Sequence, residues 1–449
     1  MKKYPTYKPS GVEWLGEVPL AWEVWKVSRL YKRIGSGTTP KAGNPEYYDN
    51  GTIPWVNTGD LNDGYISDCS NYITQKAFDD HSTLKINEAG TLLVAMYGAT
   101  IGKIAITEFA ACTNQACCSL AQSKLIDTKF AFYWFIANKE NVVNLSYGGG
   151  QPNISQDIIR SLKIPICKLE EQKSIVRFLD YKTAQIDSFI SNRQKQIELL
   201  KEQKAGIINK AVTKGIYPNA KMKTSGIEWI GDIPEHWLVI RLKYIIKTMA
   251  SGVSVNSDDE PAEPHEFGIL KTSCVYTGEF NPYENKRILE NEYNRMTCPV
   301  KKNTIIISRM NTPELVGANG FVDKDYERLF LPDRLWQTVF FSKAKIVPKW
   351  LSYFLASNRF RTLLSSLATG TSASMKNITQ NDVLGSFICL PPVEEQNEIV
   401  DFFIKEILIM DNLISKYQKQ IELMQEYRTS LISQAVTGKI DVRDWKPKK

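Results

Sequence analysis

A ten-residue phrase occurs twice in this chain. Ser10-Gly11-Val12-Glu13-Trp14-Leu15-Gly16-Glu17-Val18-Pro19 returns as Ser225-Gly226-Ile227-Glu228-Trp229-Ile230-Gly231-Asp232-Ile233-Pro234, an offset of 215 that also carries Trp22 onto Trp237. A second match is longer. Residues 194 to 216 align with 418 to 440 at an offset of 224, identical at twelve of twenty-three positions, so the second half holds a nine-residue insertion. Between these anchors the halves scarcely resemble each other. A period this long exceeds any solenoid repeat and predicts a duplicated domain with its connector. Some 449 residues are also too many for one core.

The second match predicts two long helices. Ile186, Ile190, Arg193, Ile197, Leu200, Lys204, Ile207 and Ala211 are spaced alternately by four and three. So are Met410, Ile414, Tyr417, Ile421, Met424, Arg428, Leu431 and Ala435. That 3.5-residue spacing keeps a seam facing a partner helix. The apolar members, Ile186, Ile190, Ile197, Leu200, Ile207, Met410, Ile414, Ile421, Met424 and Leu431, are therefore expected to pair the two helices as an antiparallel coiled coil, with Lys204 and Arg428 at matching places. The alternative is that each helix packs on its own globular domain. Each helix is expected to start just after an acidic pair, Glu170-Glu171 and Glu394-Glu395, which suits the positive end of the dipole. A helix over residues 172 to 212 would be about 60 Å long. The resulting division is 1–165, a globular unit; 166–222, a connector; 223–390, a second globular unit; and 391–449, a second connector and tail.

The globular units read as mixed α and β, an α+β class with a curled antiparallel sheet. Residues 52 to 61, 91 to 106 and 111 to 120 are β-branched or apolar runs joined by Gly, Asn and Asp. Residues 129 to 146 and 348 to 366 are the helix candidates. After each comes a small polar loop, 147 to 155 and 368 to 379. Glycines and short polar side chains there let a backbone approach a phosphate or base edge closely, with Lys376 adding charge, though an ordinary turn back to the sheet reads the same way.

Composition narrows the function. Net charge is +7, which favours an anionic partner without requiring one. No run of eighteen apolar residues and no secretory leader is present, so a cytoplasmic protein without a membrane span is expected. Eight cysteines include no C-x-x-C pair and only three histidines accompany them, which predicts reduced, mostly buried thiols rather than a metal site. Gly98-Ala99-Thr100-Ile101-Gly102-Lys103-Ile104 is one residue short of a phosphate loop between its glycines, and Ile104 stands where Ser or Thr would hold magnesium. No G-x-S-x-G, H-E-x-x-H or methyltransferase tetrapeptide of the [DNS]-P-P-[YF] kind occurs. The chain reads as one that binds rather than reacts.

The order globular unit, Leu169-Glu170-Glu171-Gln172 helix, repeated phrase, globular unit, Val393-Glu394-Glu395-Gln396 helix resembles the specificity subunit of type I restriction-modification systems. Further carriers of the resemblance are Gly37-Thr38-Thr39-Pro40, Ile53-Pro54-Trp55-Val56, Gly59-Asp60-Leu61, Asn114-Gln115, Ser308-Arg309, Leu331-Pro332-Asp333-Arg334-Leu335-Trp336 and Ile378-Thr379. The resemblance covers essentially the whole chain. It implies two target recognition domains of similar fold, related by a pseudo-two-fold, each reading one half of a split double-stranded DNA site, with the paired helices as spacer. It also implies two modification (methyltransferase) subunits and restriction (translocase/nuclease) subunits as partners. S-adenosylmethionine, ATP and Mg would belong to those partners and no cofactor to this chain.

Loop position and residue type select the expected DNA contacts: Thr58, Asp60, Tyr97, Thr100, Lys103, Asn114, Gln115, Gln151 and Asn153 in the first unit. In the second they are Lys271, Thr272, Ser273, Arg309, Asn311, Arg334, Gln337, Ser372 and Lys376. Arg suits guanine, and Asn or Gln suits adenine, in two-bond pairs. The doubled phrase itself holds no base or metal partner for its glutamate. It is expected to open each globular unit where the preceding helix returns, which for the first copy means that the C-terminal tail folds back beside residues 4 to 22.

Overall fold

A computed structural model describes residues 2–146, 153–372 and 375–447, with only the backbone of Thr371 and Ser372. The chain divides into two units. Unit 1 is Met1–Gln194 with Gln418–Lys449, and unit 2 is Lys195–Tyr417. The cuts fall inside the two long helices, Leu169–Lys214 and Val393–Val436, so each unit owns one globular part and half of each helix. The reason is shared burial. In unit 1, Ile175, Phe178, Leu179 and Ile186 of the central helix and Leu431, Ile432, Ala435 and Val436 of the C-terminal helix enter one core with Trp22, Phe130 and Trp134. In unit 2, Val212, Ile399, Phe403 and Ile407 join Trp237, Trp350 and Phe354. The two packings set against each other in the sequence therefore both occur: the helices pair, and each half also packs on its globular part.

Within each unit the helix segments run antiparallel. In unit 1, Asp187 Oδ1 meets Arg428 Nε at 3.2 Å while Phe178, a little earlier, lies against Trp445, later in the chain. In unit 2, Lys204 Nζ reaches both oxygens of Asp411 at 2.9 Å, and Tyr217 beyond the helix end donates to Glu398 at 2.5 Å. Asp187 and Asp411 are themselves equivalent by the offset of 224. The cations in the apolar seam thus face an aspartate placed by the same repeat. Both pairs are partly exposed and contribute little net stability, about 0.5 kcal/mol, but they favour one register. The ten expected seam residues are all buried or half-buried, whereas Leu199, Leu408, Ile409 and Leu423 on the same helices are exposed.

The main sheet of unit 1 runs in the order Ile34–Ser36, Cys117–Leu120, Leu92–Ala95, Ile104–Thr107, Gly64–Ile66. That of unit 2 repeats the first four places with Ile246–Ser251, Leu335–Phe340, Thr304–Ser308 and Asn319–Val322. A second sheet also recurs. Ile53–Val56 pairs in parallel with Cys112–Thr113, and Gly268–Leu270 pairs in parallel with Tyr326–Phe330. The sheets are otherwise mostly antiparallel, as the alternation of short runs and turns implies. Each predicted helix breaks in two, into Thr128–Ala137 with Lys139–Asn144 and Pro348–Ala356 with Asn358–Leu367. At the first break Asn138 turns its side-chain N–H onto the Trp134 carbonyl at 2.8 Å, ending the helix it would otherwise continue.

The doubled phrase is the turn of a β-hairpin, Tyr7–Pro9 with Glu17–Pro19 and Met222–Thr224 with Asp232–Pro234. Its tryptophans lie on the helices beyond, Trp14 on Trp134 and Trp229 on Phe354 and Phe360. The strand leads to Trp22 or Trp237, whose indole N–H donates at 3.0 Å to Glu171 or Glu395 in the first turn of a long helix. Tyr4 completes the first joint at 2.7 Å and His236 the second at 2.7 Å. The helices start slightly before the acidic pair, which puts the carboxylates in the first turn, where they clamp a tryptophan as well as meeting the dipole. The tail folds back as the phrase implied: Lys2 and Asp441 form an antiparallel bridge, and Tyr7 donates to the Gly438 carbonyl at 3.2 Å.

The glutamine after each acidic pair is fully buried and makes the same three bonds twice. Gln172 donates to the carbonyls of Cys167 (2.8 Å) and Leu125 (3.2 Å) and accepts from the Asp127 N–H (2.8 Å). Gln396 donates to Pro391 (2.9 Å) and Lys345 (3.2 Å) and accepts from Val347 (2.7 Å). A buried amide that satisfies three backbone groups fixes where each helix leaves its sheet.

Candidate nucleic-acid interface

In unit 1 the expected residues fall on three neighbouring turns. Asp60 closes a short 3-10 turn, Thr58–Asp60, by accepting from the Asn57 N–H at 2.8 Å, and its other oxygen holds Ser70 Oγ at 2.7 Å. Thr58 is half-buried in that turn. Asn114 accepts from the N–H groups of Ala116 (3.0 Å) and Cys117 (3.1 Å), so its carbonyl oxygen shapes the backbone. Gln115 beside it is exposed. Thr100 and Lys103 occupy the turn between Leu92–Ala95 and Ile104–Thr107, where the Lys103 N–H bonds the Thr100 carbonyl at 2.9 Å. Tyr97 leaves the same strand and forms a bridge to Asn153. Gln151 lies outside the described residues. These turns are set close together by Gly37, whose N–H donates to Thr113 Oγ1 at 3.1 Å. A β-carbon at Gly37 would overlap the Thr113 carbonyl oxygen, and one at Gly252 would overlap that of Leu331, so both sheets cross here with no room for a side chain.

In unit 2 one cluster gathers most of the expected residues. Arg309 lies over Trp336, 5.8 Å from the ring, while Trp336 itself is only 4% exposed and belongs to the core. The Arg309 N–H bonds the carbonyl of Arg334, whose side chain is exposed. Asn311 sits opposite Lys376 in a small sheet made of Met310–Asn311, Met375–Asn377 and Thr369–Ser372. Tyr276 binds this cluster to the next turn: its hydroxyl meets Thr272 Oγ1 at 2.8 Å and accepts from the Asn311 amide at 2.6 Å. The Asn311 oxygen accepts from the Thr312 N–H at 2.9 Å, so both ends of that amide are engaged. Ser273 donates to Glu284 at 2.6 Å, and Lys271 begins the same turn. Gln337 stands apart. It is 5% exposed, accepts from the Lys301 N–H at 2.9 Å and donates to the Pro299 carbonyl at 3.2 Å, tying two strands together. The side chain of Ser372 is outside the described residues.

All eight cysteines are free, and seven are buried. Burial pushes the thiols of Cys112 up to about 11 and of Cys118 and Cys389 up to about 12, so these remain protonated at neutral pH. Among the described residues no three of His, Cys, Asp and Glu gather to hold a metal ion, and no helix is long and apolar enough to cross a membrane.

Three residue types went unread in the sequence. Tyr276 was invisible because the cluster residue it binds, Asn311, lies 35 residues away. Asn377, opposite Met310, and the glutamines Gln156 and Gln380 carry a legible signal: extending the 224 offset upstream of the helices aligns Asn153-Ile154-Ser155-Gln156 with Asn377-Ile378-Thr379-Gln380.

Two like sheets with unlike turns, each anchored by the same glutamate and glutamine to paired helices, define a duplicated two-domain recognition protein. Residues 19–199 match the family model described as type I restriction modification DNA specificity domain. The type I restriction enzyme MjaVIII specificity subunit of Methanocaldococcus jannaschii is 29% identical over 432 residues, which cover 95% of this chain and 95% of that protein. Two solved structures share the fold. A chain solved for the complex assembly and conformational transition of the type I R-M system superposes with a TM-score of 0.70 at 14% identity, covering 94% of this chain and 99% of that one. The HsdS subunit of Thermoanaerobacter tengcongensis gives 0.53 at 16% identity, over 94% and 98%. Over nearly its whole length the chain is thus similar to specificity subunits of type I restriction-modification systems.

Proposed function

We propose that this chain is the DNA-reading subunit of a type I restriction-modification complex, each unit recognising one half of a bipartite duplex site. The observation that carries the reading is the contrast within the duplication. Sheet order, tryptophan clamp and buried glutamine are repeated, while the turns at the sheet crossings differ in residue and length. A partner used twice requires the repeated part, and two different half-sites require the differing part. On this reading the chain itself catalyses nothing. Two modification subunits supply methyl transfer from S-adenosylmethionine, and restriction subunits supply ATP- and Mg-dependent translocation and cleavage.

Lysines and arginines around each unit neutralise phosphates, so binding falls as salt rises. Arg309, Lys376 and Arg334 in unit 2 and Lys103, Gln115 and Asn153 in unit 1 are the candidates for contact with bases or backbone. Footprinting of the complex with its modification subunits is expected to show two protected half-sites around an unread gap. One continuous site, or methyl transfer by the purified chain alone, would overturn the reading. Arg309→Ala is expected to relax or weaken a single half-site by about 1–3 kcal/mol. An unchanged methylation map would remove Arg309 from the interface.

A further inference from the structure

The four-residue string Asn-Ile-Ser/Thr-Gln that follows each polar loop makes the same contacts in both units. Asn153 bridges to Tyr97, and Asn377 pairs with Met310. Ile154 and Ile378 are buried, and their N–H groups donate to Met96 (2.7 Å) and Arg309 (3.0 Å). Ser155 and Thr379 cap the next short helix, each hydroxyl accepting from an N–H three residues on at 3.2 Å. Gln156 then donates to the Ile34 carbonyl at 3.1 Å, and Gln380 donates to the Met249 carbonyl at 2.9 Å. Ile34 and Met249 are equivalent by the offset of 215 and lie on the outer strand of the main sheet that leads to Gly37 or Gly252.

We propose that Gln156 and Gln380 are positioning residues for half-site recognition, each locking the segment just before it to the sheet strand that enters the crossing. The inference rests on the reading of the chain as a DNA-specificity subunit. In unit 2 the locked segment holds Lys376, and its pairing partner strand, Met310–Asn311, directly follows Arg309. That segment is tied to Arg309 through one backbone bond, from Ile378, and through a two-residue strand pair. Base readout tolerates misplacement of only about 0.5 Å, so a stem this short depends on what holds its far end. Gln380 is what holds it. Without its N–H the Met249 carbonyl loses that donor, and the helix behind the loop loses its bond to the sheet.

The two units differ in one respect that sharpens the proposal. In unit 1 the Ile34 carbonyl also accepts from Arg160 Nη2 at 2.6 Å. The place of Arg160 in unit 2 is taken by Leu384, which has no donor to offer. Removing Gln156 therefore leaves a second donor in place, and removing Gln380 does not.

The test uses the full chain assembled with its modification subunits, carrying Gln380→Leu, Gln380→Glu or Gln156→Leu. Methylation rates are measured on the cognate duplex and on duplexes with single base changes in either half. Both Gln380 variants are expected to lose discrimination about tenfold in one half-site and to keep it within about twofold in the other. Gln156→Leu is expected to lose less, and in the opposite half. Gln380→Glu keeps the side-chain length but offers no donor, and so covers the case in which the leucine variant does not fold. Unchanged discrimination in a folded Gln380 variant, or an equal fall in both halves, overturns the proposal. If the parent complex methylates no bipartite site, the functional reading fails instead.

Discussion

Gly37 and Gly252 show how far a single residue was legible. The string Gly37-Thr38-Thr39-Pro40 stood out in the sequence, but the reason for its glycine lies in residue 113, and the reason for Gly252 in residue 331. Nothing local marks such a contact. Gly37→Ala is expected to destabilise unit 1 by about 1–3 kcal/mol, because the strand must move away from the Thr113 carbonyl although the Gly37 N–H is bonded to the hydroxyl of the same residue. Gly59, with open space around it, is the control, and Gly59→Ala is expected to change stability by less than about 0.5 kcal/mol. Urea unfolding of the two variants checks this; equal midpoints would mean that the crossing relaxes freely. The candidate contacts divide along the same line. Residue type picked out Arg309 and Lys376, which the fold brings into one cluster. It also picked out Asp60, Asn114, Asn311 and Gln337, whose side chains are engaged by neighbouring groups in the free protein. A polar residue in a loop reads alike from the sequence in both roles. Only the hydrogen-bond partners tell them apart.

At the scale of elements, periodicity carried most of what was readable. The long helices, their seam and the matching places of Lys204 and Arg428 all follow from a 3.5-residue spacing, because that spacing is a local property of the chain. The partners of the two cations, Asp411 and Asp187, are equally regular in position but polar, and a pattern built on apolar residues passes over them. The joint at each helix start was half legible. The acidic pair marked the place, while the buried glutamine next to it gave no sign that it satisfies backbone groups about fifty residues away. Gln396→Leu leaves the Val347 N–H and two carbonyls without that partner in the core and is expected to cost at least about 2 kcal/mol. Asn397→Ala, one residue on and exposed, is expected to cost less than about 0.5 kcal/mol. Thermal melting of the assembled complex measures both, and comparable shifts would show that the glutamine is not the joint.

At the scale of the molecule, the repeat announced two units before any element was assigned. What it did not announce is where they part. A division at residues 165, 222 and 390 follows the expected ends of the connector helices, whereas the compact units part at 194 and 417 because each helix half is buried in the core beside it. Unit 2 is consequently one unbroken stretch, and unit 1 is made from the two ends of the chain.

That asymmetry has a meaning in time. A ribosome delivers residues in order, and all of Lys195–Tyr417 is available while Leu431, Ile432, Ala435 and Val436 are still unmade. The second-written unit is therefore able to fold first, and the first-written one waits, its apolar surface incomplete, for the last turns of the final helix. Protease challenge of chains truncated after residue 417 and released from the ribosome is expected to find Lys195–Tyr417 resistant and Met1–Gln194 cut; the reverse order of protection would refute it. For a subunit built this way, the arrival of its last long helix is then the signal that the first half is ready.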